Sequence, residues 1–472
     1  MHRPVRFSAD IEPLVQFVEE TEPGRILEAT LDKLRDGLPV KTLLTASALA
    51  VTRSSDLPPG HHGGPLHPLV GIHALHNTVE RVSGEQRFLP VLQHVALSNK
   101  HINHPGMGPY ILADAEPLGA GGVEATKKAF LAVVERGLYN AADHHFLWLW
   151  DNLPHAEALD LLLTVAIPKN TLDDHYFIFP MFTWRALDWL GREYTSFLMR
   201  PAVRYVTRFP TPPALREIEP LLDEYELLTR PLAVHTSPDE TPAIDRLGEA
   251  ITRCDAYAEI PRMLAKALAD GLSLQGTGEA LSIGAAGLFM RSLTGNPMDV
   301  HLHTGVNLRR YLLGLDGVSL RNKLLALLTW HTGPEVRSTQ NRMEPPPQPD
   351  PEAVAALPHR SQSALLEALA ESIYTQPPTD WSKVTNLGLM PAVPEVKNTV
   401  NLAQQYADLG YDPAALISRL AGIVVHDNFT EMHAFKHHQA TVEAVFAPDV
   451  APPSENVDRP CRSVVQLIPH LV

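Results

Sequence analysis

IDRLGEAITRCDAYAEIPRMLAKALADGL, residues 244–272, decides the fold class. Ile244, Leu247 and Ile251, then Ile260, Leu264 and Leu268, recur three or four residues apart with charges between them, which is the period of an amphipathic helix. The same period continues outward in ILEATLDKLRDGL (26–38), GVEATKKAFLAVVERGL (122–138), HAEALDLLLTVAI (155–167), LRNKLLALLTW (320–330) and QSALLEALAESIY (362–374). Stretches that alternate polar and apolar residues between hairpin turns are scarce. The expectation is an all-α chain, a globular bundle of about fifteen helices around a central cavity. The 42 prolines in 472 residues, against a usual ~5%, imply many helix starts and stops, with proline near the first turn in HPLVGIHAL and DPAALISRLAGIV.

Composition narrows the function classes. A hydrophobic fraction of 44% is enough to bury a large core, which excludes disorder as the whole answer. Lys+Arg 39 against Asp+Glu 54 leaves a formal charge of −15, so neither nucleic acid nor an anionic membrane is an expected partner. Cys254 and Cys461 are too few for a disulfide framework or a cysteine-rich zinc module and suit a reducing cytoplasm. No apolar run approaches the roughly 18–20 residues that span a bilayer. The chain therefore reads as a cytoplasmic protein of one domain, residues 1–472, with EPPPQPDPE (344–352) as a surface linker. GTGEALSIGAAG (276–287) has Leu281 where a dinucleotide fingerprint needs its third glycine, and no phosphate loop, nucleophile elbow or His-Glu-x-x-His helix is present. If chemistry occurs, a metal or the substrate must supply what those motifs usually do.

Histidine carries the chemical signal. There are 23, and they are grouped; neutral imidazole is the commonest metal ligand and titrates nearest neutral pH. In VVHDNFTEMHAFKHHQATVEAVF (424–446), Asn428 and Glu431 have capping-box spacing, and His433 and His437 lie about 40° apart on a helix. His426 joins their face if the helix reaches back that far. In GGPLHPLVGIHALHNTVERV (63–82), His73 and His76 lie about 60° apart, and His67 precedes the helix-starting Pro68. In NTLDDHYFIFPMFTWRALDWLGREY (170–194), Asp174 and His175 stand at a helix start before a run of aromatics, an arrangement suited to acid/base work on an apolar, aromatic substrate. Asp173 and Asp174 also suit an ordinary helix start. In MDVHLHTGVNLRRYLLGL (298–315), His301 falls on the Leu308 and Leu312 stripe, while His303 aligns with Asn307 and Arg310 in a polar row able to orient an anion or carbonyl.

GPLHPLVGIHALHN (64–77), VHLHTGVNLRR (300–310) and VVHDNFTEMHAFKHH (424–438) together resemble the questin oxidase-like family. The resemblance implies an α-helical oxidative enzyme acting on aromatic polyketides, by ring opening or Baeyer–Villiger-like oxygen insertion, and points first to His67, then to His301 and His433. The leading expectation is an oxygenase-like oxidoreductase for a small, largely apolar substrate in a histidine-lined cavity. Fe, Mn or Zn would be held by His67, His73, His76, His426, His433 and His437, with Asp174, His175 and His303 as catalytic groups. The alternatives are a noncatalytic helical protein that binds a ligand or haem, and a metal-dependent hydrolase.

Overall fold

Helices start where the sequence supplies proline or a capping oxygen. In the computed structural model, which describes residues 4–54, 64–104, 111–170, 174–208, 217–291, 300–330, 348–374, 396–426 and 432–446, Pro13, Pro68, Pro242, Pro261 and Pro413 each occupy a first turn. A missing N–H costs nothing there. Asp412 accepts from Ala414 N, Asp350 from Glu352 N and Ala353 N, and Ser319 from Asn322 N, each supplying an acceptor that a helix start lacks.

The N-terminal helices are Glu12–Glu20 (α1), Ile26–Arg35 (α2), Val40–Arg53 (α3), His67–Arg81 (α4) and Phe88–Ile102 (α5). Next come Val123–Glu135 (α6), Tyr139–Asn152 (α7), His155–Ala166 (α8), His175–Leu190 (α9), Thr195–Leu198 (α10) and Arg200–Arg208 (α11). Glu219–Glu224 (α12), Thr241–Thr252 (α13), Ile260–Ala269 (α14), Leu274–Arg291 (α15), Val300–Leu313 (α16) and Leu320–Leu328 (α17) follow. The last five are Pro351–Ala356 (α18), Gln362–Tyr374 (α19), Val396–Asp408 (α20), Pro413–Val424 (α21) and His433–Phe446 (α22). The fold is all-helical, and the only β pairing among the described residues is an antiparallel bridge between Pro4 and Ala113. The expected count of about fifteen is roughly compatible, since the surplus includes pieces as short as the 4 residues of α10 and the 6 of α12. No helix among the described residues is long and apolar enough to cross a membrane.

One apolar core runs from Val5 to Trp330 and takes in Val424, Val425, Met432 and Phe435. A smaller core, built on Leu365, Leu369, Leu402, Tyr406, Leu416 and Leu420, holds α19, α20 and α21 together. The segment read as a linker ends in a helix cap at Asp350, whose N–H donates to Asn401 Oδ1 at 2.9 Å; residues 344–347 lie outside the described residues. Helix α9 is apolar on nearly every face, and Tyr176, Phe177, Phe179, Phe182 and Trp184 are all buried. With α4, α16 and α22 it forms a square, each helix packed on the next.

Candidate functional site

The four helices of that square begin at one place. His67 is the first residue of α4, His175 the first of α9, His301 the second of α16 and His433 the first of α22. Their imidazoles close a ring, with centroid separations of 5.2 Å for His67 and His175, 5.2 Å for His175 and His301, 4.9 Å for His301 and His433, and 5.0 Å for His433 and His67. His301 Nε2 and His433 Nε2 lie 3.0 Å apart. His67, His175 and His301 are buried, and His433 is partly buried. Phe179, one turn into α9, stacks on His175 at 4.4 Å and meets His67 edge-on at 5.6 Å. Tyr205 of α11 closes the same side, 5.0 Å from Phe179.

A second tier shows that the four helices run in the same direction. Glu443 of α22 accepts from Arg185 Nη1 and Nη2 of α9 at 2.9 and 2.6 Å, and from Asn307 Nδ2 of α16 at 2.8 Å. It also faces His73 Nε2 of α4 at 3.0 Å. Arg185 holds this carboxyl well below the usual carboxylate range against the opposing effect of burial, so His73 Nε2–H is the donor. His73 and Asn307 follow their quartet histidines by six residues, Arg185 and Glu443 by ten, or about 9 and 15 Å along the axes. Long helical side chains lean back toward the N-terminus, which brings the two deeper residues to the level of the shorter ones. The partial positive charge of four helix starts therefore converges on the imidazoles and favours an anionic group there.

Three of the four starts are pinned by a buried group from elsewhere in the chain. His94 Nε2–H donates to the Pro68 carbonyl at 2.9 Å in the first turn of α4, and burial lowers its pKa to about 4. Trp330 Nε1 donates to the Leu302 carbonyl at 2.9 Å beside His301. Asp174, directly before His175, adopts φ 60°, and Met432, directly before His433, adopts φ 68°. Left-handed conformations cost non-glycine residues about 1–3 kcal/mol and tend to accumulate at functional sites. The Asp174 carboxylate takes two hydrogen bonds from Arg309, at 2.7 and 2.8 Å, and one from Asn170. Arg309 Nε in turn donates to the Ala326 carbonyl at 2.7 Å. Gly305 leaves room for this pair, since a Cβ there would run into the Asp174 carboxylate. Gly305→Ala should therefore lower stability by about 1–3 kcal/mol, read as an earlier denaturant midpoint; an unchanged midpoint would contradict the close approach. On α4, Gly71 admits Met432, whose Cβ would lie 2.7 Å from an added Cβ.

The residues singled out from the sequence separate into distinct places. His67, His175 and His433 meet in the quartet, together with His301, which the sequence placed on an apolar stripe and to which the family resemblance also pointed. Asp174, expected as an acid/base group, has its carboxylate committed to Arg309 and Asn170 and positions His175 instead. His73 belongs to the Glu443 tier. His76 stacks on Trp189 at 4.8 Å. His437 turns away from His433 toward His303, 5.2 Å between centroids, and Phe289, 5.0 Å. His303 is fully buried and its pKa lies well below the usual imidazole range, chiefly through desolvation. His426 is exposed in the turn after α21. Asp173 and the expected capping box at Asn428 and Glu431 lie outside the described residues. The six histidines expected as one ligand set therefore do not converge: a helix puts i and i+4 at different depths, where different neighbours meet them. Arg185, Arg309 and Glu443 were not legible as site residues, because nothing local marks a charge whose partner is more than a hundred residues away.

Among the described residues no three His, Cys, Asp or Glu side chains already stand as a set that could hold a metal ion. The quartet is a ring of four imidazoles rather than such a set. A separate surface cavity of about 380 Å³, walled by Trp150, Asp151, Leu153, His155, Arg192, Glu193 and Ser196, includes none of the four. No protein-family profile matches the chain, and neither a curated protein nor a solved structure matches it.

Proposed function

We propose that the chain is an oxygen-using oxidoreductase that acts on a small, largely apolar aromatic compound at the quartet, with a first-row transition metal held by His67, His175, His301 and His433. The observation that supports this most directly is the 3.0 Å between His301 Nε2 and His433 Nε2 within a closed ring of imidazoles. Two imidazole nitrogens this close could both bind one ion, whose bonds to nitrogen would be about 2.1 Å. An all-imidazole donor set favours iron or zinc over manganese, which prefers oxygen donors. A redox metal supplies the activation of oxygen that amino-acid side chains lack. The chain's own residues do the rest: Phe179 and Tyr205 give the quartet an apolar aromatic wall, and the converging helix starts favour the anion of an acidic phenol. The questin oxidase-like resemblance implies the same chemistry, and its three motifs contribute His67, His301 and His433.

A second reading needs no metal. The same 3.0 Å fits one neutral imidazole donating N–H to the other, with the histidines as general bases on the phenol and oxygen reacting directly with the electron-rich ring. Metal analysis and an absorption spectrum of the purified protein separate the readings. The expected result is one iron per chain without a Soret band, and loss of both metal and oxygen uptake in folded His433→Ala. Turnover by metal-free protein would replace the first reading with the second, and a Soret band would replace both with a haem binder.

A further inference from the structure

The tier beneath the quartet contains one residue from each of the helices that carry the histidines: His73 from α4, Arg185 from α9, Asn307 from α16 and Glu443 from α22. Glu443 alone contacts the other three. Gln439 Nε2, one turn earlier on α22, also donates to it at 2.6 Å, while Gln439 Oε1 accepts from Arg81 Nη1 of α4 at 2.6 Å. Arg185 further donates to Asn307 Oδ1 at 3.1 Å and lies over the Tyr311 ring at 4.7 Å. We propose that Glu443 is the positioning residue of the histidine quartet: by gripping α4, α9 and α16 at once it sets how far the four parallel helices are advanced, and hence how closely their first imidazoles approach. The inference rests on the quartet being the site proposed above.

The physical reason is a difference in tolerance. Apolar side chains between helices allow axial slips of a few tenths of an ångström at little cost, because contact area hardly changes. A buried carboxylate that accepts several charge-assisted hydrogen bonds does not, because each bond weakens as its length and angle depart from a narrow range. A metal-ligand sphere tolerates about ±0.2 Å, which matches the second kind of contact. Both left-handed residues, Asp174 and Met432, directly precede α9 and α22, the helices joined by the two-fold Arg185 to Glu443 pairing. The tier acts through the helices it joins.

Glu443→Asp withdraws the carboxylate by one methylene while keeping its charge. Two measurements on the full chain test the proposal. One is the rate at which diethyl pyrocarbonate modifies His301 and His433, read by peptide mass spectrometry with the buried His94 as an internal control. The other is the affinity for Co²⁺ and its visible absorption. Glu443→Asp should raise modification of His301 and His433 at least about tenfold with His94 unchanged, and weaken Co²⁺ binding about 10–100-fold. If Glu443→Asp fails to fold, Asn307→Ala, which keeps the Arg185 to Glu443 pair, should shift both readouts in the same direction by less. Unchanged modification rates in a folded variant would overturn the role of Glu443. Failure of the wild-type protein to bind Co²⁺ would instead overturn the metal reading, while the modification rates still decide the positioning role.

Discussion

Asp174→Ala should destabilise the protein by about 3–5 kcal/mol, the range for removing one partner of a buried ion pair. Arg309, 1% exposed, would keep its charge with no carboxylate to meet two of its N–H groups. Alanine would also have to hold the left-handed backbone at φ 60°, at a further cost of about 1–2 kcal/mol. Two companion variants separate these contributions. Asp174→Asn tolerates the backbone and removes only the charge, so it should recover the smaller part. Asp174→Asn with Arg309→Met removes the unpaired charge as well and should recover more. Denaturant midpoints for the series give the answer: single variants as stable as the wild type would show that the pair does not secure the start of α9, and a double variant worse than Asp174→Asn would show that the stranded charge is not the cause. His175 leaves the quartet with its anchor, so the oxygen uptake proposed for that site should fall in every member of the series.

Acidification should have the next largest effect. Burial lowers the pKa of His94 to about 4 and that of His438 to about 3, against the ordinary 6.5. Below pH 6.5 the unfolded chain takes up a proton on each ring that the folded chain refuses, so stability is complete above about pH 7 and drains away as the pH falls toward 4 and 3. Between pH 7.5 and 5.0 each ring should cost about 2 kcal/mol. His76, lowered to about 4 by burial and neighbouring positive charges, is partly solvent-exposed and adds less. Glu443 acts in another window: its depressed pKa contributes stability above the ordinary value of 4.5 and loses it below that, so it does not enter here. His438→Leu, whose wild-type ring has only a 3.4 Å contact to the Ile417 carbonyl, should reduce the loss between those pH values by about 2 kcal/mol, while His94, His73 and His303, whose pKa values burial also lowers, keep their share. A denaturant midpoint that does not move between pH 7.5 and 5.0 would refute the account.

How much of the site could be read in advance depended on how local its cause was. His67 and His433 were identifiable because a proline after one and a histidine-rich helix around the other mark them within a few residues, and His175 because it opens an apolar helix. The grouping was not identifiable. Angular arithmetic on a single helix pairs His73 with His76 and His433 with His437, whereas the quartet takes one ring from the first turn of each of four helices. His301 shows the same limit: its apolar stripe correctly gave burial, yet the ring's partner is His433, 132 residues on. Asp174 read equally well as an acid/base group or a helix-start acid, and only Arg309, 135 residues away, decides between them.

By itself the sequence determined that this chain is helical, where several of its helices begin, and that its histidines are grouped, because helix period, proline and composition act over a few residues. The tertiary structure decided which imidazoles meet, that four helices run parallel from one point, and that a single carboxylate ties them together lower down. Those are contacts between segments more than a hundred residues apart, and their register comes from packing and buried charge, which no local pattern encodes.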